Sequence, residues 1–204
     1  MPSPSVWNKY INYQEKQFNS QIQKISFRRK DEGWKQFSVS LLFDNNTEYR
    51  ENHRKDPYMK AFLKDISLRP SCYFCQFKSI NRVSDITLAD FWGINNILPE
   101  MDDDKGTSLV FANTKAGQAM LEKIRDKIVC KKVDVNKAVK YNLLAIKSAN
   151  YNPKRVDFFR ELYNLPFESL VKKYCTDSIY VRIRRKVKSV MKTYFSTSKL
   201  NLWL

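Results

Sequence analysis

The spacing of apolar residues divides the chain into segments of changing period. Val6, Trp7, Tyr10 and Ile11 recur at helical spacing behind Pro2-Ser3-Pro4-Ser5, a turn that ends in an N-cap, so a helix is predicted from Ser5 to about Phe18. The period then drops to two. Ile25 and Phe27 alternate with polar residues, Gly33 marks a turn, and Phe37, Val39, Leu41 and Phe43 form the inward side of a half-buried strand. Asp44-Asn45-Asn46 closes that strand. Asp56-Pro57 supplies a cap and a first-turn proline, and Tyr58, Phe62 and Ile66 share one face of a helix that Arg69-Pro70 ends.

An irregular loop carrying Cys72 and Cys75 runs to about Ser84. Ile86 to Phe91 reads as a short buried strand, followed by a loop with Glu100, Asp102, Asp103 and Asp104. Ser108 to Ala112 is strand-like, Thr114 to about Lys127 is helical with Met120, Leu121 and Ile124 inward, and Ile128 to Val135 returns as a strand. That order predicts a parallel, right-handed β-α-β unit. The remainder reads as helices over about Asn136 to Ser148, Pro153 to Tyr163, Pro166 to Tyr174 and Ile179 to Phe195. The pattern as a whole predicts an α/β domain over residues 1–150, a mixed sheet with flanking helices, and a helical extension over residues 151–204.

An apolar fraction of 43% over 204 residues is enough for a packed core and argues against disorder. The chain has 4 glycines and neither a dinucleotide fingerprint nor a P-loop. It has no secretory h-region and no apolar run of membrane-spanning length. Its 4 cysteines do not make a disulfide framework, so a reducing cytoplasm is expected.

Lys and Arg number 37 against 21 Asp and Glu, and the resulting charge of +16 attracts polyanions. Nucleic acid, anionic lipid and phosphorylated cofactors all qualify, as does a plain solubilising excess. Most aromatic residues fall at core-like periodic positions, not interleaved with clustered cations, which ranks nucleic acid last. Near the end of the chain, Ile183, Val187, Val190, Met191 and Phe195 share a helical face. Arg182, Arg184, Arg185, Lys186, Lys188 and Lys192 occupy much of the rest. Such a basic amphipathic helix suits an anionic membrane surface or an acidic partner, or packs on its own domain with a charged outer face.

Cys72-Tyr73-Phe74-Cys75 is a C-x-x-C pair, able to offer two thiolates to one metal ion or cluster. Zinc and iron–sulfur clusters both want four ligands, so one pair supplies half of either site. A redox disulfide is the other option, but the pair follows a helix end, whereas thioredoxin-like motifs open a helix after a strand. A ligand loop is therefore favoured. Cys130 in its predicted strand reads as buried and inert, Cys175 as packing, and His53, among Arg50, Arg54 and Lys55, as solvated. None completes the site.

The flanks of the pair carry a resemblance. Leu68-Arg69-Pro70-Ser71-Cys72 through Lys78, leading into Ser84-Asp85-Ile86-Thr87-Leu88-Ala89-Asp90-Phe91-Trp92-Gly93-Ile94, resembles the C-terminal domain of the coenzyme F-420 hydrogenase/dehydrogenase beta-subunit family. Phe27-Arg28-Arg29-Lys30 with Gly33-Trp34, Asp56-Pro57-Tyr58-Met59, and Lys105-Gly106-Thr107-Ser108-Leu109-Val110 with Asn113-Thr114 and Gly117 extend the match in the same order, over roughly Pro2 to Pro153.

The resemblance implies an oxidoreductase that carries FAD and 4Fe–4S clusters and exchanges electrons with a deazaflavin or another partner. Many bacterial relatives look like polysaccharide-locus proteins. It also implies that this chain corresponds to the C-terminal portion of a longer protein, with a ferredoxin-like segment or a redox partner supplying the other cysteines and catalysis incomplete without them. The rival is a non-catalytic module that binds an anionic surface through the basic tail.

By resemblance, Cys72 and Cys75 are two ligands of a 4Fe–4S cluster, and no catalytic residue is assigned. Asp85 and Asp90 either orient the cluster loop or a flavin edge, or cap turns. Trp92 with Gly93 stacks on an isoalloxazine, or Trp92 packs in a core beside Phe91. Lys105, Gly106 and Ser108 meet an FAD phosphate or form a solvated turn. Asn113 and Thr114 hold an anion at a helix start or merely cap it, and Arg28 and Lys30 bind flavin or deazaflavin phosphates or are strand-edge charges. Asp102 to Asp104 lack EF-hand spacing and read as a solvated loop. The family pattern has glycine where this chain has Ala89, a substitution that matters if the backbone there needs a positive φ or a close cofactor approach.

Overall fold

A computed structural model of the protein describes residues 2–177, 179–181, 183, 187 and 191. Helix α1 (Pro4–Phe18) starts with a first-turn proline and stops at Asn19, which is left-handed at φ 46°. Its buried positions Val6, Tyr10 and Gln14 are four residues apart and form a single stripe. That stripe faces a three-stranded antiparallel sheet of order β1-β2-β3, with β1 at Ile22–Arg29, β2 at Ser38–Phe43 and β3 at Glu48–Asn52. Phe37, Val39, Leu41 and Phe43 are all buried as predicted, but β2 is not half-buried, since Ser38 and Ser40 on its other face are buried too.

Asp56 joins three of these elements. Its Oδ1 accepts a 2.7 Å hydrogen bond from the Met59 amide and so caps α2 (Pro57–Leu63). Its Oδ2 accepts from the Tyr10 hydroxyl at 2.8 Å and the Tyr49 hydroxyl at 3.0 Å. The carboxyl is fully buried. α2 is shorter than its apolar spacing predicts. Asp65 turns left-handed at φ 56°, and Ile66 reaches the core from beyond the helix end. Two late helices, α7 (Arg155–Arg160) and α8 (Phe167–Cys175), complete this core with Phe158, Leu162, Phe167, Leu170 and Val171.

The second half of the fold is thinner. After the single turn α3 (Pro70–Tyr73), strands β4 (Ile86–Asp90) and β5 (Ser108–Ala112) pair antiparallel, with Asp90 opposite Ser108 and Leu88 opposite Val110. Between them lie α4 (Ile94–Ile97) and a 3-10 turn at Pro99–Met101; after them come α5 (Lys115–Lys123) and α6 (Val135–Lys140). Phe91, Ile94, Leu109 and Ala138 form a small second core.

The α/β class is as the sequence predicts, but the β-α-β unit is not formed. Both sheets are antiparallel, and residues 128–134 make no strand. Val129 is 85% exposed and Cys130 is exposed, not buried. Lys131 and Lys132 interrupt that apolar run. On α5, Met120 and Ile124 face solvent; Gly117 is the buried position, close-packed on the Asp85 carbonyl. β4 is only half buried, with Leu88 open. The helix predicted to Ser148 breaks into α6 and a 3-10 turn at Leu143–Ala145. His53 is not solvated: its ring stacks on Phe37 at 4.1 Å and Nδ1 lies 2.9 Å from the Phe37 carbonyl.

Of the predicted C-terminal amphipathic face, Ile183, Val187 and Met191 are helical and exposed. Val190, Phe195, Arg182, Arg184, Arg185, Lys186, Lys188 and Lys192 lie outside the described residues. No helix among the described residues is long and apolar enough to cross a membrane.

Burial, the largest influence on Asp56, pushes its carboxyl above the usual carboxylate range, against the lowering by Met59, Tyr10 and Tyr49. A folded-state value above the unfolded one means that the folded chain holds this proton more tightly. The stability contributed is then complete below the unfolded value and is lost as pH rises through the raised one. Asp56→Ala is expected to destabilise the fold by about 3 kcal/mol in urea unfolding. The wild type is expected to gain on Asp56→Asn as pH is lowered from neutrality, and a pH-independent difference between the two would contradict the raised value.

Candidate functional site

The antiparallel hairpin β4–β5 and the end of β1 converge on Trp34. The indole is buried, and its backbone amide donates to the Asp104 carbonyl at 2.6 Å. Lys35 reinforces the link, its amide donating to Asp104 Oδ1 at 2.9 Å and its Nζ to Asp102 at 2.7 Å. The acidic run is thus a clamp that fixes the turn after β1, and the lysine holds the Asp102 carboxyl below the usual carboxylate range.

The Arg28 guanidinium sits over the Trp34 ring at 4.9 Å, and its Nη1 lies 2.8–2.9 Å from both Asp90 oxygens. Lys30 Nζ lies 5.4 Å from the same ring and donates to the Lys105 carbonyl at 2.8 Å. Gly106, at φ +96°, lies flat on the indole; a Cβ there would be 3.2 Å from ring carbons. Trp92 also meets the indole, with ring centroids 5.1 Å apart and an interplanar angle of 31°. Trp92 is 46% exposed, so the expectation that it packs in a core beside Phe91 is corrected. It is left outside because Gly93, at φ +80°, turns the chain away and takes the Tyr141 ring against its Cα.

Arg28, Lys30, Asp90, Trp92, Gly93, Lys105, Gly106 and Ser108 therefore belong to one neighbourhood built from separate stretches of chain. Trp34, which organises it, is the residue that sequence reasoning did not single out; its place directly after Gly33 in the upstream match was the available signal. The arrangement offers a half-exposed indole beside an arginine and two lysines. Such a surface suits a planar, anionic group.

Asn113 and Thr114 are not part of it. They lie just past the opposite end of β5, with Asn113 roughly 17 Å from Ser108 at strand rise. Asn113 Nδ2 donates to the Ser84 carbonyl at 2.9 Å and to Thr87 Oγ1 at 3.0 Å. Thr114 caps α5 by accepting from the Gly117 amide at 3.2 Å, and its hydroxyl donates to Asp85. These groups stitch the hairpin to α5.

Cys72 lies on α3 and Cys75 just beyond it, both partly exposed and outside any disulfide. The Ala149 amide donates to the Cys72 carbonyl at 3.1 Å, and the Cys75 amide donates to Ser148 Oγ at 3.1 Å. The same stretch begins at Tyr141 and Asn142, and Asn142 Nδ2 donates to the Trp92 carbonyl at 3.5 Å. One strap thus touches both the cysteine loop and the Trp34 neighbourhood. Among the described residues no group of three or more His, Cys, Asp or Glu side chains could hold a metal ion. Cys175 is buried in the first core, where burial pushes its thiol up to about 11. Ala89 sits in β4 opposite Leu109 without a positive φ, so glycine's torsional freedom is not needed there.

Gly93→Ala is expected to cost at least about 2 kcal/mol, from left-handed strain and from a Cβ placed 2.3 Å from the Tyr141 ring. In a double-mutant cycle by urea unfolding, Tyr141→Ala is expected to relieve the steric part and leave the strain. Simple additivity would refute the contact.

A family model for the C terminus of the beta subunit of coenzyme F420 hydrogenase/dehydrogenase matches residues 1–138. No curated protein and no solved structure matches the chain. The matched region takes in the Trp34 neighbourhood and the cysteine loop, together with every element from α1 to β5. The chain belongs to the family formed by the C-terminal domains of coenzyme F420 hydrogenase/dehydrogenase beta subunits.

Proposed function

We propose that the chain is the flavin-facing and cluster-facing part of an iron–sulfur flavoprotein oxidoreductase, which works in the cytoplasm with a ferredoxin-like segment or a redox partner protein. The observation that carries this reading is the convergence of Arg28, Lys30, Trp92 and Gly106 on Trp34. Cations over aromatic rings beside a half-exposed indole fit the flat ring and phosphates of FAD. A bound flavin supplies two-electron chemistry and a 4Fe–4S cluster one-electron chemistry. Trp92 would shield a bound ring from water, Arg28 and Lys30 would hold its negative charge, and Asp90 fixes the arginine. Cys72 and Cys75 fit half of a cluster, as two thiolates on one short loop. The remaining ligands come from another segment or a second protein, and a deazaflavin or another carrier exchanges electrons with the assembly.

Adding FAD to the purified chain is expected to quench flavin fluorescence saturably, with affinity about tenfold lower in Arg28→Ala. After anaerobic reconstitution with iron and sulfide, Cys72→Ser/Cys75→Ser is expected to lose bound iron. No flavin binding, together with equal iron in the wild type and the double variant, would sink the proposal.

A second reading rests on the tail. Ile179, Ile183, Val187 and Met191 recur every fourth residue and are 72%, 58%, 51% and 51% exposed. With the basic residues between them in sequence, they make an apolar stripe suited to the inner face of an anionic membrane. The chain is expected to sediment with phosphatidylglycerol vesicles but not with phosphatidylcholine vesicles, and Ile183→Asp/Val187→Asp to remain in the supernatant. Unchanged sedimentation of the variant would exclude the stripe.

A further inference from the structure

One large cavity shares no lining residue with the Trp34 neighbourhood. It is a cleft of about 1010 Å³ between α1, β3, α2 and α8. We propose that this cleft binds a soluble small molecule bearing a phosphate or diphosphate group, at a site separate from the Trp34 neighbourhood.

The cleft carries an excess of positive charge. It is lined by Arg54, Lys55, Lys60, Lys64 and Lys172 against the carboxylates of Glu51, Glu168 and Asp177. Those carboxylates are already engaged. Asp177 pairs with Lys64, Glu168 accepts from the Tyr13 hydroxyl at 3.3 Å, and Glu51 accepts from the Asn52 amide at 2.8 Å. Arg54, Lys55, Lys60 and Lys172 make no ion pair among the described residues. Elsewhere on the surface Arg28, Lys35, Lys131 and Lys173 each have a carboxylate. Unpaired cations gathered in one concavity focus a positive field there.

The wall is also polar. Gln14 is 2% exposed and lies beside the Tyr10 and Tyr49 hydroxyls, whose oxygens donate to Asp56 and keep lone pairs for its amide. Lysines predominate in the cleft, and several point charges suit a multiply charged phosphoryl group better than a single carboxylate. The volume is at the upper end of the range for small-molecule sites, about 300–1,000 Å³.

The test is calorimetric titration of the full chain with inorganic diphosphate near physiological salt, with sulfate as a charge control. In an Arg28→Ala background, which removes the arginine of the proposed flavin site, one saturable site is expected, at least about tenfold weaker when Lys60→Ala/Lys172→Ala is added and unchanged when Lys131→Ala, remote from both sites, is added instead. Lys60 and Lys172 are exposed, so the double variant is expected to keep the wild-type unfolding temperature. The proposal is overturned by an absence of saturable binding, by equal binding when Lys60→Ala/Lys172→Ala is added (the signature of diffuse charge), or by a loss that appears equally with Lys131→Ala. Binding to phosphatidylglycerol vesicles without any response to diphosphate would overturn it as well.

Discussion

A buried carboxylate holds the first half of this protein together. Asp56 sits where α1, β3 and α2 meet, and each element sends it one donor. Taking an ionised carboxyl out of water is costly unless its lone pairs are satisfied. Three hydrogen bonds offset that cost, and the direction of its pKa says that burial still has the larger effect. The arrangement therefore specifies geometry more than it adds stability. Without β3 held by Tyr49, β2 would lose one of its neighbours in the sheet, and the far end of β1, where Arg28 and the turn to Trp34 begin, would lose its support.

The same logic of polar groups that fix position runs through the second half, where apolar burial is small. Its core has only Phe91, Ile94, Leu109 and Ala138 fully inside. Specific contacts replace bulk packing: Asp104 and Asp102 on the turn after β1, Thr107 Oγ1 donating to the Met101 carbonyl at 2.7 Å, and Asn113 across the base of the hairpin. Such contacts hold a loop in place at little cost in apolar area, which leaves aromatic and cationic side chains available at the surface.

What was legible in the sequence follows from which forces are local. The start of α2 was readable because a cap and a proline act on adjacent residues, whereas at α1 only the proline acts: the expected cap Ser5 lies inside the helix and Ser3 before it makes no side-chain cap bond. β2 was readable because its alternating apolar residues enter one core, although the other face, with Ser38 and Ser40, is buried as well and gave no apolar signal. β3 was not. Its sequence Glu48–Asn52 is polar apart from Tyr49, and it exists because β2 offers it a ladder. Residues 128–134 present the opposite case, an apolar run that finds no partner strand and stays unpaired. The site divides similarly. The resemblance brought most of its residues forward one by one, but no local pattern could place Arg28 over Trp34 or send Asn113 and Thr114 to the other end of the hairpin.

The strap from Tyr141 to Ala149 is what makes a single unit of the indole neighbourhood and the cysteine loop. At one end Tyr141 packs on Gly93, and at the other Ser148 and Ala149 hold Cys75 and Cys72 by their backbones. Tyr73 also anchors the loop, through its hydroxyl to the Asp65 carbonyl and its ring to Tyr151 and Arg155. Phe74, Phe77 and Val83 are 79%, 71% and 99% exposed, so the loop buries little apolar surface of its own. Backbone hydrogen bonds to the strap fix where its thiols begin, while their side chains stay partly open. Under the proposed function this is the useful division. A pair of redox groups needs a set separation, which the strap provides, and the open side of a half-complete ligand loop needs another surface to close it, for which three exposed apolar side chains are suited.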